Sequence, residues 1–592
     1  MSLADKFSAF KSTTRKIWAL SLPYFKSEQK WRARGMLAAI VLLNLASVYM
    51  LVRYNEWYRL FYDALQNKNQ AVFWQQLLNF TGIAFTLVII AVYKFYLTQL
   101  LEIRWRAWMT SHYLDRWLAH QAYYRLELGR YGATAGNDAA ATPDNPDQRI
   151  QEDLDLFTTR TIGLSMGLLN AVVTLVSFVG ILWGLSGAFA FSYNGTSYSI
   201  PGFMVWAAVA YCIVGSLLTH YIGRPQIALN FRQQRFEADF RHHMVRVREY
   251  SEAIALDKGE KVERQQLDMR FGNVLANYLK LLRAQKNLIW FTTFFGQAAV
   301  VFPFLVSAPR YFSGAIQLGE LMQIASAFGQ VQDSLSWLVD NYSSLASWRA
   351  TADRLTSFDE NMTAQALRAD AVEAKPGADA DTLSAHGLSV QLPSGATLMQ
   401  DVTLQAKAGD SILVSGPSGS GKSTLFRAFA GIWPFSHGRV EQPANAMFIP
   451  QRPYFPNGPL RDALAYPEPA ANYTDDALNQ ALIDALLPKL AGHLDDQDAW
   501  GQKLSGGEQQ RLAIARVLLK KPAWIFADEA TSALDEAAEK TLYARLLLQA
   551  QHGGGTLISI AHRPTAAAFH NRRWELEKLP EGSAALYRIS GA

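Results

Sequence analysis

The sequence predicts two unlike halves: an all-α membrane domain of six spans, followed by an α/β domain built around a phosphate-binding loop. Three observations carry this. Long apolar runs fill the first ~355 residues and are absent from the rest. Arg- and Lys-rich stretches alternate with those runs. A glycine-rich loop ending in Lys422-Ser423 follows a short apolar strand at 411–415.

A bilayer core needs roughly 20 mostly apolar residues per helix. The stretches 35–54, 79–100, 161–185 and 202–222 meet this, and so does 287–308 despite Pro303, since neighbours can satisfy backbone groups freed by a proline. A sixth stretch, 318–341, is far more polar; an even count of spans returns the chain to its starting side. The segments 104–160 and 224–286 and the N-terminal arm are rich in Arg or Lys, whereas 186–202 carries no charge. The positive-inside rule then places both termini and both long charged segments in the cytoplasm. Those segments are too long for connectors and read as helical extensions, with Phe236, Phe240, Met244 and Val247 at helical spacing. The arm reads as basic and amphipathic, without the pattern of a cleaved signal.

The net charge of +5 is small for 592 residues. With basic residues set beside apolar runs, it gives no nucleic-acid-binding face. The single cysteine, Cys212, excludes an intrachain disulfide. The expected division is an arm over 1–34, a membrane domain over 35–357, a linker over 358–382 and an α/β cassette over 383–592.

In the cassette, Gly416-Pro417-Ser418-Gly419-Ser420-Gly421-Lys422-Ser423 fits G-x-x-x-x-G-K-[ST]. Backbone N–H groups wrap the phosphates of ATP, Lys422 reaches the β/γ-phosphates, and Ser423 ligates Mg²⁺. The helix that continues through Thr424 points its positive end at the same anion. The apolar strand 524–527 ends in Asp528-Glu529. Asp528 is placed to hold the Mg²⁺ and Glu529 to polarise the attacking water. In 504–511, Ser505, Gly506 and Gly507 open a helix, so hydroxyl and N–H groups face outward. One chain already has a loop for the same ATP, so this second phosphate-binding surface is expected to complete the site of another copy.

LSGGEQQR resembles the signature of the ABC ATPase family, and the remaining motifs fall in that family's order. The resemblance makes Gln451 the Q-loop glutamine, a nucleotide and Mg²⁺ contact. It makes Asp535 part of the D-loop and His562 the switch histidine, catalytic alongside Glu529. It implies an exporter-type (type IV) ABC half-transporter. One departure is visible: 390–395 lacks the aromatic residue that many relatives stack on adenine. The stretches 145–150, 251–260, 308–312, 319–323 and 450–454 look like the branch that holds peroxisomal fatty-acyl transporters and bacterial cobalamin, bleomycin and antimicrobial-peptide transporters, and favour the bacterial subgroup. The resemblance implies a bacterial inner-membrane location.

In the sixth span, Glu320, Gln323, Gln330, Ser334 and Trp337 fall on or near one helical face, with Asp333 and Asp340 close by. Ionisable groups in a span face water or a partner rather than lipid. A wet cavity suits ATP-driven transport, with uptake preferred, of hydrophilic small molecules or peptides. Export of a lipid or acyl conjugate, and a membrane sensor ATPase that transports nothing, are the competing readings.

Overall fold

The computed structural model describes residues 3–133, 145–186, 188–193, 196–367, 372–376, 382–443 and 445–591. The chain forms two compact units, one comprising Met1–His112 with Asp147–Thr356, the other Tyr113–Pro146 with Ser357–Ala592.

The first unit is helical. Helix α1 (Leu3–Lys26) is the amphipathic arm, and α2 (Lys30–Gln66) and α3 (Gln70–Leu118) follow. Then come α4 (Ala122–Ala133), which belongs to the second unit, α5 (Leu154–Ser186), α6 (Phe203–Glu249), α7 (Glu260–Phe312), α8 (Leu318–Asp340) and α9 (Tyr342–Leu367). Among the described residues, five helices, one for each apolar stretch, are long and apolar enough to cross a membrane. At 1.5 Å per residue the 53-residue α7 is about 80 Å long, well over twice a bilayer core. The charged half of its sequence therefore continues the span as one helix. Pro303 lies buried within α7 without ending it. The uncharged segment between spans three and four forms a hairpin of β1 (Ala188–Tyr193) and β2 (Thr196–Pro201).

Helix α8 is the polar sixth stretch, and at 23 residues it is long enough to cross. Its apolar face, Leu321, Ile324, Ala327, Phe328 and Val331, is buried with Phe178 and Leu182 of α5 and Met204, Val205 and Ala208 of α6. Burial of such side chains contributes about 1.5–3 kcal/mol each. Its first turn is fastened to α2: Leu318 N donates to Gln66 Oε1 at 2.7 Å and Gly319 N to Asp63 Oδ1 at 2.8 Å. Any side chain at Gly319 would collide with α2, since a Cβ there falls 2.1 Å from the Arg59 carbonyl oxygen.

The polar face expected for this helix is divided by its packing. Glu320 completes a capping box with Gln317 and so serves its own helix end. Gln323 is buried, its backbone oxygen accepting from Asn55 Nδ2 of α2 at 3.1 Å. Trp337 lies on Gly167 of α5. What stays accessible is a stripe at helical spacing, Ser326, Gly329, Asp333, Ser336 and Asp340, with Gln330 and Ser334 of the expected face half-buried beside it; both aspartates are exposed and neither is in an ion pair among the described residues.

Before α5 the chain makes a wide π-helical turn, Arg149–Asp153. There the buried Asp153 carboxylate pairs with Arg149 of the same turn and accepts from Arg354 Nε of α9 at 3.0 Å.

The second unit is the cassette plus the segment Tyr113–Pro146. Tyr124 and Leu128 of α4 pack onto the cluster that contains Leu383, Phe426 and Trp433. The stretch 358–382, expected as a linker, holds the end of α9 and strand β3 (Val372–Pro376). Its Ala, Met and Glu residues favour helix up to Leu367.

Strands β4 (Thr382–Gln391), β5 (Thr397–Lys407) and β7 (Ser436–Gln442) join β3 in a four-stranded sheet ordered β3-β7-β4-β5. The second sheet combines β6 (Ser411–Ser415), β8 (Ala446–Ile449), β9 (Trp524–Asp528), β10 (Thr556–Ile560), β11 (Arg572–Lys578) and β12 (Tyr587–Ser590) in the order β12-β11-β6-β10-β9-β8. All its pairs are parallel except β11 with β12. Strands β6 and β10 are buried throughout, in keeping with their mostly apolar sequences. Helices α10 (Lys422–Phe429), α11 (Asp475–Asp484), α12 (Gly506–Lys520) and α13 (Glu536–His552) are the longer helices of the cassette among the described residues.

Candidate functional site

Parallel α/β sheets carry their ligand sites beyond the carboxyl ends of the strands. Here β6, β9 and β10 deliver the predicted residues to one place.

Residues 416–421 leave β6 and turn into α10. Gly416, Gly419 and Gly421 have φ of 147°, 78° and 89°, values that L side chains rarely adopt. A Cβ at Gly416 would also lie 2.9 Å from the backbone oxygen of Leu576. Pro417 and Ser418 form the outer bend. Ser420 is fully buried and its hydroxyl has no partner among the described residues, an uncommon state for a buried polar group. Lys422 opens α10, with Ser423 and Thr424 next. Its side chain is largely buried and folds back over the loop, Nζ donating to the carbonyls of Gly416 at 2.9 Å and Pro417 at 2.8 Å. Burial holds its pKa below the usual lysine range, against the pull of Glu529 and Asp528. The loop thus presents a buried cation, a free hydroxyl and backbone N–H groups in one cradle.

Ser423 Oγ donates to Asp528 Oδ1 at 3.1 Å. Burial raises the Asp528 pKa; the Ser423 hydrogen bond opposes that, and the neighbouring Glu529 charge adds to it. A hydroxyl and a carboxylate this close are the hard oxygen donors that Mg²⁺ prefers.

Glu529 follows β9 in the left-handed region, φ 50°, with its N–H donating to Ile560 O at 3.0 Å. A non-glycine residue there is strained, and such strain collects at functional sites. The turn aims the carboxylate between two side chains: Gln451 Nε2 donates to Oε2 at 2.8 Å, and His562 Nε2 lies 3.1 Å from Oε1. The carboxylate is fixed from both sides and stays partly accessible.

The structure therefore brings Lys422, Ser423, Gln451, Asp528, Glu529 and His562 together. Ser505, Gly506, Gly507 and Asp535 are placed otherwise. Ser505 caps α12, its hydroxyl accepting from Glu508 N at 3.4 Å and donating to Glu508 Oε2 at 2.7 Å; that donated bond, with a second from Ser505 N at 3.0 Å, holds the Glu508 carboxyl below its usual range. Gly507 faces the Ala533 carbonyl, where a Cβ would sit at 3.2 Å. Asp535 caps α13, accepting from Ala538 N at 2.8 Å. Among the described residues, none of these four bonds to the 416–423 loop.

One residue escapes the sequence reading. Gln510 is buried; its amide nitrogen donates to Glu529 O at 3.2 Å and Ser532 Oγ at 2.9 Å, and its oxygen accepts from Ala533 N at 2.9 Å. It ties α12 to the turn that carries Glu529. Its place in LSGGEQQR was the available signal.

A phosphate cradle, an acidic strand end and a capped signature helix on a parallel sheet, fused to membrane-spanning helices, define an ATP-powered membrane transporter. Residues 20–312 match the family model "ABC transporter transmembrane region 2", and residues 399–532 match "ABC transporter". The chain is 33% identical to the Escherichia coli inner membrane ABC transporter ATP-binding protein YddA, over 93% of this chain and 95% of that one. It is 34% identical to the Arabidopsis thaliana chloroplastic ABC transporter D family member 2, over 99% and 89%. The human lysosomal cobalamin transporter ABCD4 is 27% identical, over 81% and 82%. A solved bacterial Atm1-family ABC exporter with ATP bound shares the fold, with a TM-score of 0.70, 19% identity and coverage of 93% and 95%. This chain belongs to the ABC transporter family: it binds ATP and couples its hydrolysis to transport.

Proposed function

We propose that this chain takes up hydrophilic compounds, cobalamin-like molecules or peptides, as a homodimer in a bacterial inner membrane, with both termini and the ATPase cassette cytoplasmic. The observation that carries the cargo class is the accessible stripe of α8, Ser326 to Asp340. Two unpaired carboxylates on a membrane helix are costly against lipid, at about 2.5–3.5 kcal/mol for an aspartate at a span centre. Facing a second copy across an axis, the stripe makes two walls of a wet cavity. The name of the human relative supports a cobalamin-like cargo, and that of the E. coli relative supports the inner membrane.

In the ATPase site, the N–H groups of 416–421 and the hydroxyls of Ser420 and Thr424 take the phosphates, with Lys422 on the β/γ oxygens. Ser423 and Asp528, with Gln451, would hold Mg²⁺, which would supply positive charge against the phosphate oxygens. Glu529 orients the attacking water and accepts its proton, and His562 fixes the Glu529 carboxylate. Adenine rests on aliphatic contacts, given the residues at 390–395.

The placement of Ser505–Gly507 and Asp535 away from the loop supports the homodimer, in which these residues close the ATP site of the second copy. Cysteines at Ser418 and Ser505 are expected to cross-link two chains only when ATP is present. A monomer that hydrolyses ATP in detergent overturns this assembly.

Proteoliposomes test the cargo. ATP-dependent flux is expected for labelled cobalamin or a cationic peptide, and none for an acyl-CoA. Replacing Gln330 and Asp333 by leucine dries the wall and is expected to lower polar-cargo flux several-fold while nucleotide affinity is unchanged. ATPase activity stimulated by acyl-CoA alone points to a lipid exporter instead.

A further inference from the structure

Helix α3 leaves the membrane with one face still uncovered. Phe85, Val88, Val92 and Tyr96 are all exposed and follow one another at helical spacing. The same face continues past the apolar stretch through Gln99, Ile103 and Arg106. There the apolar strip runs into a cavity of about 340 Å³ between α3 and α5, lined by Tyr96, Gln99, Glu102, Ile103, Arg106 and Asp155. The volume is at the small end of ligand pockets.

The cavity carries both signs of charge at the depth where helices pass from hydrocarbon to water. Arg106 Nη1 lies 3.0 Å from Asp155 Oδ1, each side chain 43–46% exposed, so both ends of the pair remain reachable. Glu102 is more than nine-tenths buried and receives Gln99 Nε2 at 3.0 Å. One guanidinium and two carboxylates leave the cavity with a surplus negative charge. That balance disfavours a purely anionic guest and fits one that brings a phosphate for Arg106 together with an ammonium for Asp155 and Glu102. A primary ammonium can donate to carboxylates, whereas a quaternary one cannot. The strip above suits an acyl chain, because a continuous apolar face of this length on a membrane helix lies against lipid.

We propose that this cavity is a binding site for an inner-leaflet glycerophospholipid of the ethanolamine type. Its phosphate sits on Arg106, its ammonium lies between Asp155 and Glu102, and its acyl chain lies along Tyr96, Val92 and Phe85. The site lies wholly within the membrane unit, apart from the ATPase residues.

The test uses the full-length protein in mixed micelles of equal parts phosphatidylethanolamine, phosphatidylcholine and phosphatidylglycerol, followed by mass spectrometry of the lipid that stays bound. Wild type is expected to retain phosphatidylethanolamine at least threefold over each of the others. Equal retention of the ethanolamine and choline lipids, or enrichment of phosphatidylglycerol, overturns the proposal without any variant. The double variant R106Q/D155N is expected to lose the enrichment while eluting as wild type and keeping basal ATPase activity. Undiminished enrichment in that variant overturns the assignment of these residues. A cysteine at Ile103 distinguishes the other occupant: efficient disulfide formation with a second copy in the membrane means protein covers this face, and the lipid site falls.

Discussion

Glutamine at position 529 is expected to leave ATP binding intact and to lower ATP turnover by about 10²-fold or more, the usual consequence of removing a general base. The substitution keeps the size of the side chain and an oxygen for Gln451 Nε2, 2.8 Å away, but removes the charge that faces His562 at 3.1 Å. The left-handed backbone at φ 50° is equally accessible to glutamine, so a collapse of the turn does not account for a loss of rate. Lys422→Ala is expected to behave differently, weakening nucleotide affinity and turnover together, because its ammonium reaches across the cradle itself. Measuring nucleotide affinity and steady-state hydrolysis on both variants separates the two. Turnover near the parent rate in Glu529→Gln removes Glu529 from the chemistry.

The largest effect on stability is expected far from that site, at Asp153. Its carboxylate is 98% buried, and Arg149 beside it is nearly as inaccessible. Removing one member of a buried pair leaves the other charge without compensation, a loss of about 3–5 kcal/mol. Asp153→Ala additionally releases Arg354, and with it the link from the π-helical turn to α9. The exposed pair Arg264–Asp268, at a similar distance of 2.8 Å, serves as the comparison, since ion pairs in water contribute little. Melting of purified protein in detergent is expected to fall markedly for Asp153→Ala and to stay put for Asp268→Ala. Equal melting of the two variants shows that the buried cluster adds nothing.

What was legible in the sequence was local. The loop 416–423 is one contiguous stretch whose glycines, lysine and serine each answer a requirement of phosphate binding, so its conformation follows from composition and spacing. The five apolar spans are equally self-contained. The misreading of α8 shows the limit. Glu320 looks like one more polar residue on a face, and only the turn at Gln317 makes it a cap. Trp337 lies on Gly167, a neighbour 170 positions earlier that no periodicity in α8 can reveal. Likewise Tyr124 and Leu128 sit in a segment of mixed polarity, and their burial against the cassette comes from tertiary contact alone. Gln510 is hidden for the same reason: its bonds to Glu529 O, Ser532 Oγ and Ala533 N lie in the one turn after β9, which meets α12 only in the folded chain.

The fastening of α8 to α2 bears on how the protein is made. By composition α8 is not among the helices apolar enough to cross a membrane, and each aspartate within such a helix opposes partition from the translocon into lipid. During synthesis it emerges after the other spans, when the side chains of Asp63 and Gln66 already stand ready for its first free N–H groups and α5 and α6 offer their apolar faces. Its entry into the bilayer is therefore expected to follow docking onto earlier helices. Damage to α2 at Asp63 would therefore surface as a late failure of biogenesis, with α8 left outside the membrane although nothing in α8 itself has changed.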